Sequence, residues 1–220
     1  MTPHLPIVLF DFDGTIADTH GVFVALLNRL APEFGYPPAP PETVAQLQGL
    51  TAQDLIRQSQ ISVFKIPLLL RRLKQELHQE MPRVAAIAGI TTILRQLHTE
   101  QYQLGIITSN NIENVRLFLA LHQLTDCFTW LDAGSTLFGK HRLLKRFLKQ
   151  HQLEPERVIY VGDETRDIEA ARASGLPMIS VGWGFNDPEL LRRYAPDQLV
   201  EQAAELIPAI AAIAQARQRQ

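Results

Sequence analysis

The stretch Ile7-Val8-Leu9-Phe10-Asp11-Phe12-Asp13-Gly14-Thr15 decides how the chain folds. Four apolar residues run without alternation, and two carboxylates one residue apart follow, then a glycine. An unbroken apolar run of this kind reads as a strand buried on both faces, as in a parallel sheet covered by helices above and below. In open α/β sheets the ligand lies beyond the carboxyl ends of the strands, so Asp11 and Asp13 are expected to project into that crevice. Carboxylates in so dry a place call for a cation or a reacting proton nearby. An Asp-Gly pair alone reads first as an ordinary turn at a strand end, so the rest of the chain has to decide.

Outward from this strand the pattern changes to helical spacing. Phe23, Leu26, Leu27, Leu30 and Phe34 recur three or four apart, with Asp18 or Thr19 placed to cap the start. The cluster Pro37-Pro38-Ala39-Pro40-Pro41 is expected to break that helix. Short helical patterns then pass through Val44 and Leu47, and through Leu55 and Ile56, on either side of Gly49. A longer one runs through Ile66, Leu69, Leu70, Leu73 and Leu77, with Arg71, Arg72 and Lys74 read as its solvated face. Residues 17–83 therefore form a block of helices inserted after the first strand.

From Ala86 helices and strands alternate. Strands are expected at Leu104–Ile107, near Cys127 to Leu131 with Cys127 packed in it, at Val158–Val161, and last at Met178–Val181. Helices lie between them, one closing at Gly175, and an amphipathic helix through Leu206, Ile207, Ile210 and Ile213 ends the pattern. Such alternation implies an α/β, Rossmann-like, doubly wound parallel sheet. The expected organisation is a core of residues 1–16 and 84–220 with an all-helical cap at 17–83.

Composition narrows the classes of function. With 46% hydrophobic and 20% charged residues and a net charge of −2, the chain lacks the basic excess that nucleic-acid binding needs. Cys127 is the sole cysteine, which excludes an internal disulfide and a thiolate metal cluster. Prolines at 3 and 6 and the missing positive region argue against a signal peptide. No apolar run approaches the ~20 residues that span a bilayer, so a cytoplasmic protein without membrane partners is expected.

Three strand ends gather polar residues on one rim: Asp11 and Asp13; Thr108 and Ser109; and Asp163, Glu164 and Asp167, with Lys140 close before the Val158 strand. Helix capping could explain any one cluster, but hardly all of them in register with apolar runs. In this order the residues resemble the haloacid dehalogenase-like phosphatases. Asp11-Phe12-Asp13-Gly14-Thr15 matches the first motif of that family, Thr108 the second, Lys140 the third and Gly162-Asp163-Glu164-Thr165-Arg166-Asp167 the fourth. The resemblance spans nearly the whole chain, and the helical block sits where the phosphoglycolate-phosphatase-like and β-phosphoglucomutase-like branch inserts its cap.

The resemblance implies a Mg²⁺-dependent phosphatase acting on a small phosphorylated metabolite. Asp11 would be the nucleophile and form an aspartyl-phosphate, and Asp13 would protonate the leaving oxygen and then activate water. The implied metal ligands are the Asp11 carboxylate, the Asp13 carbonyl and the Asp163 carboxylate. Thr108, Ser109 and Lys140 would hold phosphate oxygens, with Asp167 and Glu164 behind them and Asp167 orienting Lys140 or a metal-bound water. Dehalogenating relatives lack a carboxylate at the position of Asp13, which favours phosphate chemistry.

Within the cap, Leu47-Gln48-Gly49-Leu50-Thr51 resembles a specificity loop, making Gln48 and Thr51 candidate substrate contacts; Thr51 with Asp54 reads equally as a helix cap. His20 near the hinge is a further candidate. Ala52 stands where related mutases carry a basic residue, which weighs against a sugar phosphomutase, the first alternative. A non-catalytic protein on the same fold is the second. A monomer is expected, with a dimer left open.

Overall fold

The computed structural model describes residues 5–40, 43–59, 61–134 and 139–218. Pro3 and Pro41, which entered the sequence reading, lie outside them. Six parallel strands form one sheet in the order β3-β2-β1-β4-β5-β6. They are β1 (Ile7–Phe10), β2 (Gln103–Thr108), β3 (Trp130–Ala133), β4 (Val158–Gly162), β5 (Met178–Val181) and β6 (Gln198–Val200). β1 is central, paired with β2 on one side and β4 on the other. All four of its side chains are buried, as the unbroken apolar run requires.

Alternation along β1 assigns its residues to two apolar layers. Val8 and Phe10 join a core with residues of α5 (Ile90–Thr99), α6 (Ile112–Leu121) and α10 (Leu206–Gln218). Ile7 and Leu9 join another with residues of α7 (Lys140–Gln150), α8 (Thr165–Ala173) and α9 (Pro188–Arg193). Helices thus cover both faces of the sheet. Chain order reverses between β1 and β4, so the crevice at their carboxyl ends is the topological switch point where α/β sheets hold ligands.

Between β1 and α5 the described residues contain helices and no strand: α1 (His20–Phe34), α2 (Val44–Gln48), α3 (Ala52–Gln58) and α4 (Ile66–Glu80). The inward stripe of α4 is Leu69, Leu73 and Leu77, which packs with Leu26, Leu30 and Phe34 of α1. The two chain segments linking this block to the sheet meet at a bridge between Ala17 and Ala86.

Four details differ from the sequence reading. α1 ends at Phe34 because Gly35 takes a left-handed conformation (φ 74°), before the prolines are reached. Thr19 is the N-cap residue of α1, but its side chain makes no capping bond. Cys127 lies in a short 3-10 turn, Thr125–Cys127, and β3 starts three residues later. β5 is not the last strand: β6 follows, at only three residues too short to leave a periodic signal.

Candidate active site

The carboxyl ends of β1, β2 and β4 bring most of the expected residues to one rim. Asp11, Asp13, Thr108, Lys140, Asp163 and Asp167 are all buried there. Thr108 closes β2, with Ser109 following it, and Lys140 opens α7. Glu164 caps α8 in a reciprocal capping box with Asp167.

Lys140 Nζ lies 2.5 Å from Asp11 Oδ2 and 2.5 Å from Asp167 Oδ1. The other oxygen of Asp167 accepts from the Glu164 N–H at 3.0 Å. Asp167 therefore both closes the α8 cap and fixes the ammonium against Asp11. Burial alone would lower the Lys140 pKa, but Asp11 and Asp167 outweigh it and hold the pKa above its usual value.

Asp13 accepts from Asn110, whose Nδ2 stands 3.0 Å from each carboxylate oxygen. Asn110 is oriented in turn by Asn114, whose Nδ2 donates to Asn110 Oδ1 at 2.9 Å. Burial pushes Asp13 up to about 7, with the Asp11 charge adding to the effect and the Asn110 bond opposing it. Burial likewise raises Asp11 to about 6, against the attraction of Lys140. Burial thus favours a proton retained on Asp13, the state a general acid needs.

Asp163 is fully buried, and both its oxygens are fixed: Thr15 Oγ1 donates to Oδ1 at 2.6 Å and the Phe185 N–H to Oδ2 at 2.7 Å. Burial, reinforced by Glu164, Asp167 and Asp11, raises its pKa well above the usual carboxylate range. Two backbone turns press against it. A Cβ on Gly14 (φ 71°) would fall 2.3 Å from Asp163 Oδ2, and one on Gly184 would fall 2.2 Å from the same atom. Only glycine permits that approach.

Oxygens of Asp11, Asp163 and Asp167 lie within 4.8 Å of one another. These are buried hard oxygen donors, and desolvation holds Asp11 and Asp163 above the usual carboxylate range, so the cluster fits a hard divalent cation. Such an ion would supply the charge that one ammonium cannot.

The candidates from the helical block are placed differently. The Gln48 side-chain amide donates to the Gly184 carbonyl at 3.1 Å, tying α2 to the β5–α9 loop. Thr51 caps α3, accepting from the Asp54 N–H at 3.2 Å and donating to Asp54 Oδ2 at 2.7 Å. His20 lines the cleft beneath the block and meets the Phe185 ring edge-on at 5.3 Å, with its pKa lowered by burial. Lys74 corrects the reading of a solvated face: it is half-buried, it lines the same cleft, and its Nζ donates to the Ser109 carbonyl.

Sequence reasoning missed three more residues. Asn110 was visible in the polar run after β2, but nothing local marks it as the partner of Asp13. Arg166, inside the fourth motif, pairs with Glu164 and lines the cleft. Asn186 spans core and helical block, and no local signal announces it. Its Nδ2 donates to the carbonyls of Gln48 (3.2 Å) and Leu50 (2.9 Å), while its Oδ1 accepts from the Thr165 N–H at 2.9 Å.

A strand-end Asp pair, a lysine from the next layer and a third Asp across the switch point define a hydrolase of the phosphoryl-transfer kind. Residues 8–181 match the haloacid dehalogenase-like hydrolases, and the chain belongs to that family. It is 36% identical over 203 residues to the phosphoglycolate phosphatase of Synechococcus elongatus, covering 92% of this chain and 96% of the relative. It is 26% identical over 216 residues to the phosphoglycolate phosphatase of Pseudomonas putida, covering 93% of this chain and 79% of the relative. A crystal structure of a predicted phosphatase from Clostridium acetobutylicum shares the fold with a TM-score of 0.82 at 19% identity, covering 95% of this chain and all of that one. Among the described residues no helix is long and apolar enough to cross a membrane.

Proposed function

We propose that this phosphatase hydrolyses a small phosphorylated hydroxy acid, with 2-phosphoglycolate the first candidate, through a phosphoryl group carried on Asp11. The observation that carries the reading is the pairing at the end of β1. Asp11 is buried against Lys140 at 2.5 Å, and two residues on stands an Asp13 whose pKa is raised to about 7. The phosphoglycolate phosphatase relatives support the choice of substrate.

An oxygen of the Asp11 carboxylate attacks phosphorus as the bond to the ester oxygen breaks, and Asp13 delivers its proton to that departing oxygen. Asp13, now ionised, takes a proton from water as the water oxygen attacks phosphorus. The Asp11–phosphate bond then breaks and inorganic phosphate leaves. Lys140 neutralises charge beside Asp11 throughout, and Thr108 and Ser109 donate to phosphate oxygens. Asp11, Asp163 and the Asp13 carbonyl would hold Mg²⁺, which supplies positive charge that lets carboxylate and phosphate approach. Asp167 and Glu164 hold Lys140 and the start of α8 in place. Residues 17–83 act as a cap on a core of residues 1–16 and 84–220, excluding bulk water from the acyl phosphate.

The test is phosphate release from a panel of phosphomonoesters with Mg²⁺, comparing wild type with Asp11→Asn. Loss of turnover in a folded variant is expected. Substantial residual activity would remove Asp11 from the nucleophile's place.

A further inference from the structure

The cleft under the helical block has a volume of about 480 Å³, and most of its wall is apolar, with Phe23, Leu27, Leu55, Ile56 and Leu70 among its residues. Charged side chains gather at the end that meets the rim: Asp13, Lys74, Glu164 and Arg166. Arg166 belongs to the core and is paired with Glu164 of its own turn. Lys74 is the charged side chain that the helical block brings to this cleft among the described residues.

Its position is fixed by more than its own helix. One turn further along α4, His78 Nδ1 lies 2.7 Å from Asn114 Oδ1. The Asn114 amide donates to the Lys74 carbonyl at 3.3 Å and to Asn110 at 2.9 Å. Lys74 Nζ itself donates to the Ser109 carbonyl. Helix α4 is therefore keyed to the same Asn114–Asn110 pair that holds Asp13, and the ammonium stands over the Asp13 side of the rim. The Asp13 charge acts on Lys74, opposing the effect of burial.

Resting on the phosphatase reading above, we propose that Lys74 determines specificity by binding a carboxylate on the leaving group. With Asp11 attacking in line, the ester oxygen departs toward Asp13, and whatever that oxygen carries lies beside Lys74. A carboxylate on the carbon bearing the ester oxygen meets the ammonium there, whereas most of the wall further in is apolar. Lys74, rather than Gln48 or Thr51, reads the substrate, because it lines this cleft at the rim, whereas Gln48 ties α2 to the β5–α9 loop and Thr51 caps α3.

The experiment compares 2-phosphoglycolate with 2-hydroxyethyl phosphate, which keeps the skeleton and replaces the carboxylate by an alcohol. The readout is the ratio of their kcat/KM values in wild type, Lys74→Met, Lys74→Arg and Lys74→Glu, each checked for folding by its urea midpoint. Loss of one charge-assisted contact should cut the preference for phosphoglycolate by roughly 30-fold in Lys74→Met, chiefly through KM. Lys74→Arg should restore much of the preference, and Lys74→Glu should turn it toward phosphoethanolamine, whose leaving group is cationic. Equal losses on both esters, or an unchanged ratio, overturn the assignment. So does a wild type that shows no preference between the two esters, and in that case the phosphatase reading stands. A wild type that releases phosphate from no ester defeats that reading, and this one with it.

Discussion

Asn186 donates its side-chain amide to the Leu50 carbonyl at 2.9 Å, joining the loop after β5 to the start of α3 across 136 residues of chain. The same residue donates from its backbone to the Asp163 carbonyl at 3.3 Å, and its neighbour Phe185 donates to the Asp163 carboxylate. The hold on the helical block and the hold on the buried carboxylate are thus made by adjacent residues. Asn186→Ala removes three side-chain bonds at a buried position, at a cost of about 1–3 kcal/mol for the groups left unpaired. The variant should show faster proteolysis in the α2–α3 region and a lower kcat at unchanged global fold. Cleavage rates equal to wild type would show that this contact does not restrain the block.

Lys140 is the counter-charge for two buried carboxylates, Asp11 and Asp167. Lys140→Met leaves both without it, and breaking a buried pair in this way typically costs about 3–5 kcal/mol. The urea midpoint of the metal-free variant should fall accordingly and recover in part with Mg²⁺, while turnover is lost. A variant as stable as wild type without metal would mean that the carboxylates are neutral there.

The glycine at 184 is set by contact with Asp163, since an added Cβ would lie 2.2 Å from its Oδ2. Gly184→Ala must displace either the loop or the carboxylate, and strain of this kind costs about 1–3 kcal/mol. Mg²⁺ at 100 times its Kd should stabilise wild type by about 2.7 kcal/mol. In Gly184→Ala and in Asp163→Asn that thermal shift should largely vanish, as read by calorimetry with Mg²⁺ and with EDTA. A full shift in both would place the ion elsewhere.

The raised pKa values of Asp11 (about 6) and Asp13 (about 7) give the metal-free protein a pH dependence of known sign. The unfolded chain gives up these protons around 3.8, whereas the folded state retains them to higher pH. The contribution of these two groups to stability is therefore fully present below about pH 4 and is lost as pH rises toward 7. Urea midpoints in EDTA should fall across that window, Asp13→Asn should flatten the slope, and Mg²⁺ should suppress it. A midpoint rising with pH would contradict the burial of these groups.

Much of the site was written locally. The apolar run before Asp11 and Asp13, the one before Thr108 and the one before Asp163 each state a buried strand and its polar end within a few residues, and parallel strands place such ends on one rim. That is why the doubly wound core and the strand-end residues Asp11, Asp13, Thr108 and Asp163 were legible in the sequence, whereas Lys140, at the start of α7, was marked by the family resemblance. β6 and α9 escaped because three and six residues carry too little periodicity.

The sequence by itself determined the buried strands β1, β2, β4 and β5, their alternation with helices and the acidic rim, because hydrophobic period and strand-end chemistry act between near neighbours. Only the tertiary structure decided that Lys74 faces the cleft, that Asn110 holds Asp13, and that Asn186 fastens the helical block. Those contacts join residues 35, 97 and 136 positions apart. Which flank of α4 meets α6, and which loop meets α3, is set by how whole elements pack, and no local pattern of residues contains it.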